Sequence, residues 1–289
     1  MDNAGWNRIP FFKMTGSGND FILIDNRSLR IAGEERQREL ARKACRSKLS
    51  VGADGLILLE DDSEVDFQWR FYNADGSVAE MCGNGARCAA RFAFLAGIAG
   101  KTQMTFRTLA GVIEAELRGE RVKIRTTPPR GLKTRFELEA AQRSFVLDFV
   151  NTGVPHTVHF LETVVALEEA NIAEWGRALR FHPHFQPAGS NVNFVHVRDA
   201  HHLSIRTYER GVEGETLACG TGSIASALVA AARGWAESPV GVLTRSGETL
   251  TIYFTHTPGE LDSPFSEVCL EGDARVVYEA ELWDETLRD

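Results

Sequence analysis

The chain has 289 residues, 43% hydrophobic and 25% charged, with a formal net charge of −8. That length predicts two domains of ordinary size, each able to bury a core. The acidic balance argues against a nucleic-acid or anionic-membrane partner, which needs clustered cations. No apolar run approaches the roughly 18 residues of a membrane span, and the leading segment lacks the basic-then-apolar pattern of an export signal. Five cysteines without close CxxC spacing (Cys45, Cys82, Cys88, Cys219, Cys269) therefore read as reduced thiols of a cytoplasmic protein, with no metal site expected.

In chain order, strand-like runs rich in β-branched and aromatic residues begin at Phe21, Leu56, Val65, Met104, Gly111 and Arg121, with a hairpin turn at Gly119. A charged helix is expected from Glu34 to Arg46. The Pro/Gly-rich stretch Thr126 to Arg135 reads as the connection between halves. Strands resume at Ser144, and a pair of helices around Asn171, a plausible cap, spans Leu161 to Phe181. Further strands follow, ending in ARVVYEAELW. This closing segment has no counterpart in the middle of the chain and is expected to cross back to complete the first half.

Two further helices, Gly83–Leu95 and Gly220–Arg233, are small or apolar nearly all round, apart from Arg87 and Arg91, and so must be buried on most sides. Each follows a cysteine and a glycine-rich turn: CGNGARCAARFAFLAG from Cys82 and CGTGSIASALVAAARG from Cys219. The cysteines are 137 residues apart (219 − 82), as are Gly52 and Gly189, while Gly18 and Gly153 differ by 135. Three ordered correspondences indicate a duplicated unit. The expected fold is mixed α/β (α+β): two pseudo-symmetric lobes, each a mostly antiparallel sheet or barrel wrapped around a central helix. The lobes are drawn as 1–127 with 273–289, carrying Cys82, and 128–272, carrying Cys219.

A thiol acts as base or nucleophile only as thiolate, and its reference pKa of about 8.5 must be lowered at neutral pH. The N-terminus of a buried helix does this, because its unpaired N–H groups and dipole favour negative charge. The steps Gly83-Asn84 and Gly220-Thr221 also allow close approach of a carboxylate to backbone amides. A duplicated unit would set one thiol on each side of a bound α-carbon. The chemistry that follows is stereoinversion: one sulfur removes the α-proton and the other delivers one, with no cofactor. A single cysteine before a glycine turn is more often a small buried hydrophobe; the matched pair favours catalysis.

The motifs FKMTGSGNDFILID, GADGLILLE, FYNADGSVAEMCGNGARCAARF, NTGVPHTVHF, GSNVNF and RTYERGVEGETLACGTG cover nearly the whole chain, and their order and spacing resemble the diaminopimelate epimerase family. The resemblance implies cofactor-independent interconversion of LL- and meso-diaminopimelate, feeding lysine and peptidoglycan synthesis, by a homodimer with two similar lobes. It implies that Cys82 and Cys219 are the catalytic thiols, and that Gly83, Asn84, Gly220 and Thr221 hold the reacting carboxylate. Asn19 would lie near the reacting amino group. Asn73, Asn191 and Arg210 would read the distal carboxylate, and Glu209 the distal ammonium. His156 and Glu209 would tune the thiols.

Each has a plainer reading: turn asparagines at 19 and 73, a satisfied loop histidine at 156, a surface pair at 209 and 210. Asp20 and Asp54 read as turn and packing residues, and Cys88 as packing. Gly55 and Val154 stand where the resemblance implies a substrate-contacting Gln and Asn. Competing functions are a racemase of another amino acid such as histidine, a non-catalytic carboxylate-binding or thiol-redox protein, and a cysteine hydrolase using His156. The last explains only one of the two thiols.

Overall fold

The computed structural model describes residues 8–259 and 264–287; the leading residues 1–7, read above for an export signal, lie outside the described residues. The chain forms two compact units, Met1–Ile124 with Gly272–Asp289, and Arg125–Glu271.

In the first unit the strands are β1 (Ile9–Gly16), β2 (Asn19–Asp25), β3 (Gly55–Glu60), β4 (Phe67–Asn73), β5 (Gln103–Thr108), β6 (Gly111–Arg118) and β7 (Arg121–Arg125), with helices α1 (Glu34–Ala44) and α2 (Gly83–Leu95). Helix α1 is the crossover that lets β2 and β3 pair in parallel. Its acidic first turn (Glu34, Glu35) and basic last turn (Arg42, Lys43) complement the helix dipole. Gln37, Leu40, Ala41 and Ala44, on one helical face, are buried against the sheet. Because α1 covers one side of the sheet and α2 the other, β3 is buried at every residue. Helix α2, with four alanines and two phenylalanines among its 13 residues, packs on β1, β2, β3 and β6.

The second unit holds β8 (Arg130–Ala140), β9 (Arg143–Asn151), β10 (Pro155–Phe160), α3 (Val164–Glu169), α4 (Ile172–Arg180), β11 (Asn191–Asp199), β12 (His202–Glu209), the short β13 (Gly214–Thr216), α5 (Gly220–Ala232), β14 (Val240–Leu243), β15 (Thr249–His256) and β16 (Phe265–Asp273). The Asn171 side chain caps α4 by accepting from the Glu174 amide. Helix α5 is buried on nearly every face and packs against β9, β10, β11, β12, β14 and β15, so the sheet encloses it. Helices α3 and α4 close the outer face over Phe145, Leu147, Val192, Phe194 and Tyr208. Tyr208 leaves no room for a side chain at Gly176 of α4, where a Cβ would fall 2.5 Å from the tyrosine Cβ.

The chain closes on β17 (Arg275–Leu282), which pairs with β1 from Ile9↔Leu282 to Thr15↔Arg275. With it, the two units repeat one series of pairings. Along β17-β1-β2-β3-β4-β5-β6-β7 these run antiparallel, antiparallel, parallel, antiparallel, parallel, antiparallel, antiparallel. Along β8-β9-β10-β11-β12-β14-β15-β16 they are the same.

Two expectations need correction. The stretch from Thr126 to Arg135 is not all connection, because β8 begins at Arg130 and pairs with β9. The closing segment does have a mid-chain counterpart, and it is this same β8, which stands to β9 as β17 stands to β1. Its strand character was hidden because most of β8 is exposed, so charged residues take its outward positions. Irregular register near Lys133 and a positive φ at Arg135 further break the alternation. Among the described residues no helix is long and apolar enough to cross a membrane.

Candidate active site

Cys82 and Cys219 occupy the same local position in their units. Each is the N-cap of the enclosed helix, in extended backbone (φ −146°, ψ 118° and φ −128°, ψ 110°), and no side chain caps either helix. The Cys82 residue is half-buried and Cys219 buried, and neither is in a disulfide. First-turn amides without a capping oxygen are suited to an anion, and their field favours thiolate over thiol. Gly83 and Gly220 open the two helices. The third residue of each turn is glycine for packing: a Cβ at Gly85 would lie 3.2 Å from Ile57 Cδ1, and one at Gly222 only 2.4 Å from Asn193 Oδ1.

In the first unit the turn of α2 anchors a line of polar groups. Arg87, fully buried, donates to Asn84 Oδ1 (2.9 Å), Ser17 Oγ (2.7 Å) and the Gly83 carbonyl (3.3 Å). Asn84 Nδ2 donates to Asn19 Oδ1 (2.8 Å), and Asn19 Nδ2 donates to Asp54 Oδ2 (2.8 Å). A guanidinium only donates and a carboxylate only accepts, so the two ends dictate which way both amides face. Asn19 and Asn84 are thereby brought together at the Cys82 turn. Asp54 also accepts from the Asp20 amide (3.2 Å), Asp20 Oδ1 accepts from the Asp54 amide (3.1 Å), and Lys13 pairs with Asp20 at 2.5 Å. Asp20 and Asp54 thus bond into each other's turns, and Asp54 also orients Asn19, which the sequence did not indicate. The GADG motif located Asp54 without indicating its partner, since the two lie 35 residues apart.

Asn73 is exposed at the end of β4, and its Nδ2 donates to Ser77 Oγ (2.9 Å). It pairs across the sheet with Gly55. A Cβ on Gly55 would sit 2.6 Å from Phe71 Cε2 and 2.7 Å from the Tyr72 carbonyl oxygen. The missing side chain is thus built into the packing, with the Phe71 ring over it. Gly55→Gln is expected to destabilise the protein by about 1–3 kcal/mol through overpacking, read by urea unfolding; unchanged stability would show that Phe71 moves aside freely. Val154 is half-buried just before β10, and nothing in the structure accounts for valine there.

In the second unit His156 lies within β10 and is fully buried, which overturns the loop-histidine reading. Burial first, then the positive charge of Arg210, pushes its pKa down to about 3. Its Nδ1 is 3.1 Å from Asn193 Nδ2, and its Nε2 has no hydrogen-bond partner among the described residues. Asn191, at the start of β11, is buried; its Oδ1 accepts from the Arg210 amide (2.8 Å) and its Nδ2 donates to the Pro155 carbonyl (3.1 Å). It therefore ties the Arg210 turn to β10. The Arg210 guanidinium donates to the Ala188 carbonyl (3.1 Å). Glu209 ends β12, where burial holds its carboxyl above the usual carboxylate range, partly opposed by the Thr216 hydroxyl. Thr221 Oγ1 is 3.6 Å from Cys219 Sγ, and its carbonyl accepts from Thr152 Oγ1 (3.1 Å). The residues expected from sequence thus gather by unit: Asn19 and Asn84 at the Cys82 turn, Asn191 bonded to Arg210 with His156 beside Asn191 in strand register, and Thr221 beside Cys219.

The profile of the diaminopimelate epimerase family matches residues 11–131 and 149–260. A protein named diaminopimelate epimerase from Aquifex aeolicus (strain VF5) is 47% identical, over 96% of this chain and 99% of its own. The chain belongs to the diaminopimelate epimerase family. Another relative of that name, from Archaeoglobus fulgidus, is 41% identical over 83% of this chain and 88% of its own. Among solved structures, a PhzF-family phenazine biosynthesis protein of Bacillus anthracis matches with TM-score 0.69 at 16% identity, covering 96% of this chain and 99% of that one. A hydroxyproline epimerase of Agrobacterium vitis, bound to trans-4-hydroxy-L-proline, matches with TM-score 0.65 at 16% identity, covering 96% and 93%. At such identities these two show only the fold that this chain shares with them.

Proposed function

We propose that this protein is an isomerase that interconverts LL- and meso-diaminopimelate, a step toward lysine and peptidoglycan precursors, using Cys82 and Cys219 as a base and acid pair. The observation that carries the reading is the matched cysteine at the mouth of each enclosed, uncapped helix, in a chain of this family. One thiolate takes the α-proton while the other thiol gives a proton to the opposite face, and the roles exchange in the reverse direction. The first-turn amides from Gly83, Asn84, Gly220 and Thr221 stabilise the charge that moves onto the carboxylate as the C–H bond breaks. Because one sulfur must be charged while the other holds a proton, the pair titrates as a unit.

The remaining roles are those the family resemblance implies, and charge and hydrogen-bonding type agree with them. Asn19, held by Asp54 and Asn84, offers amide contacts to the reacting amino group. Arg210, carried by Asn191, suits the distal carboxylate, Asn73 joins it, and Glu209 suits the distal ammonium. His156 and Glu209 tune the thiols. This scheme moves only protons, so it asks for no cofactor. The reading extends to a cytoplasmic homodimer; exposed Val277, Tyr278 and Trp283 at the end of the chain offer apolar surface for a second copy.

Turnover in D2O tests the reaction. Each diaminopimelate isomer is expected to acquire one solvent deuterium at the inverted α-carbon. Faster turnover of histidine or another amino acid would replace the substrate assignment, and absence of α-exchange from every amino acid tried would remove the enzymatic one.

A further inference from the structure

The buried imidazole of His156 has two nitrogens in different circumstances. Its Nδ1 faces Asn193, whose Nδ2 also donates to the Thr157 carbonyl at 3.0 Å. A backbone carbonyl can only accept, so the atom of Asn193 on that side must be its NH2 group. Flipping the amide would set its oxygen against the Thr157 oxygen. The other end of the amide agrees, since Asn193 Oδ1 accepts from Thr207 Oγ1 at 3.0 Å. Asn193 is itself fully buried in β11, between β10 and β12. Gly222 of α5 gives it room, because a Cβ there would fall 2.4 Å from Asn193 Oδ1. The NH2 group thus presents a donor to His156 Nδ1, which must accept. The imidazole proton then belongs on Nε2, the nitrogen with no partner among the described residues.

We propose that Asn193 locks His156 in the Nε2–H tautomer, so that His156 serves the reaction as a neutral hydrogen-bond donor to an anion and not as the base that ionises a thiol. A buried N–H left without an acceptor is costly, and the anionic sulfur or carboxylate of the reaction cycle supplies one. The same burial keeps the ring neutral through the physiological range, with its pKa pushed down to about 3. Asn193 is on this account a positioning residue that also braces the first turn of α5. The catalytic part of the proposal rests on the epimerase reading; the tautomer does not.

Two measurements test it. Long-range 1H–15N correlation on the intact protein, its 8 histidines resolved with the help of His156→Gln, is expected to show a bare Nδ1 and a protonated Nε2 for His156 from pH 5 to 8. A protonated Nδ1, or an imidazolium appearing in that range, overturns the tautomer. In kinetics, His156→Gln keeps an N–H donor but no base, and is expected to retain activity within about tenfold, the worth of one ordinary hydrogen bond. His156→Leu loses far more. Equal losses in the two variants overturn the donor role. If the wild-type protein exchanges no α-proton of diaminopimelate, the epimerase reading falls while the nitrogen spectra still decide the tautomer.

Discussion

Cys82→Ala and Cys219→Ala are each expected to lower epimerisation by roughly 10³-fold or more, the scale of a lost general acid or base. Both helices begin in the same backbone geometry and neither uses its cysteine side chain as a cap, so alanine removes chemistry with little structural cost. A second readout separates a catalytic role from a merely structural one. With one thiol gone, the other can still remove an α-proton from its own side and return deuterium from D2O to the same side. Each variant should therefore exchange the α-proton of one stereoisomer without inverting it, and the two variants should prefer opposite isomers. Full epimerase activity in either variant would end the two-thiol assignment. Exchange of both isomers by one variant would mean that a third group acts as base.

Lowering the pH from 6.5 should destabilise the protein by about 1.4 kcal/mol per pH unit through His156 alone. The unfolded chain takes up this proton near 6.5, whereas the folded protein resists it down to about 3. Between those values the unfolded state binds more protons, so stability rises with pH. The contribution is complete above 6.5 and drains away as pH falls toward 3. The Asp62 carboxyl, held by Arg107 first, lies at about 2, below this range; burial also lowers the His159 imidazole, which adds to the slope, and raises Glu209, which opposes it. Over the interval from 6.5 to about 4.5 it is the difference between the wild-type protein and His156→Gln that isolates this histidine. Urea unfolding across it should give a sloping stability for the wild-type protein and a flatter one for His156→Gln. Matching slopes would mean that the imidazole is protonated in the folded state.

Much of this molecule was legible in the chain. The duplication surfaced because Cys82 and Cys219 each precede glycine and a helix with no polar face, a pattern only an enclosed helix needs. Most of the other strands announced themselves through β-branched and aromatic runs, since they bury at least one side. Strand β8 did not, because most of it faces water and its charges resemble a linker. Strand β1 escaped as well, its run broken by the buried Lys13, whose ammonium meets the Gly52 carbonyl and Asp20.

Local order along the chain determined where the thiols, the helix mouths and the turn asparagines lie, because capping, burial and glycine turns act over a few residues. Tertiary structure alone decided what those groups face. The line from Arg87 through Asn84 and Asn19 to Asp54 spans 70 positions if Ser17 is counted with it (87 − 17), and the bond between His156 and Asn193 joins neighbouring strands 37 positions apart. Hydrogen bonds of that reach are set by strand register and by the space a missing Cβ leaves, as at Gly55 and Gly222. Neither quantity exists until the sheet has formed.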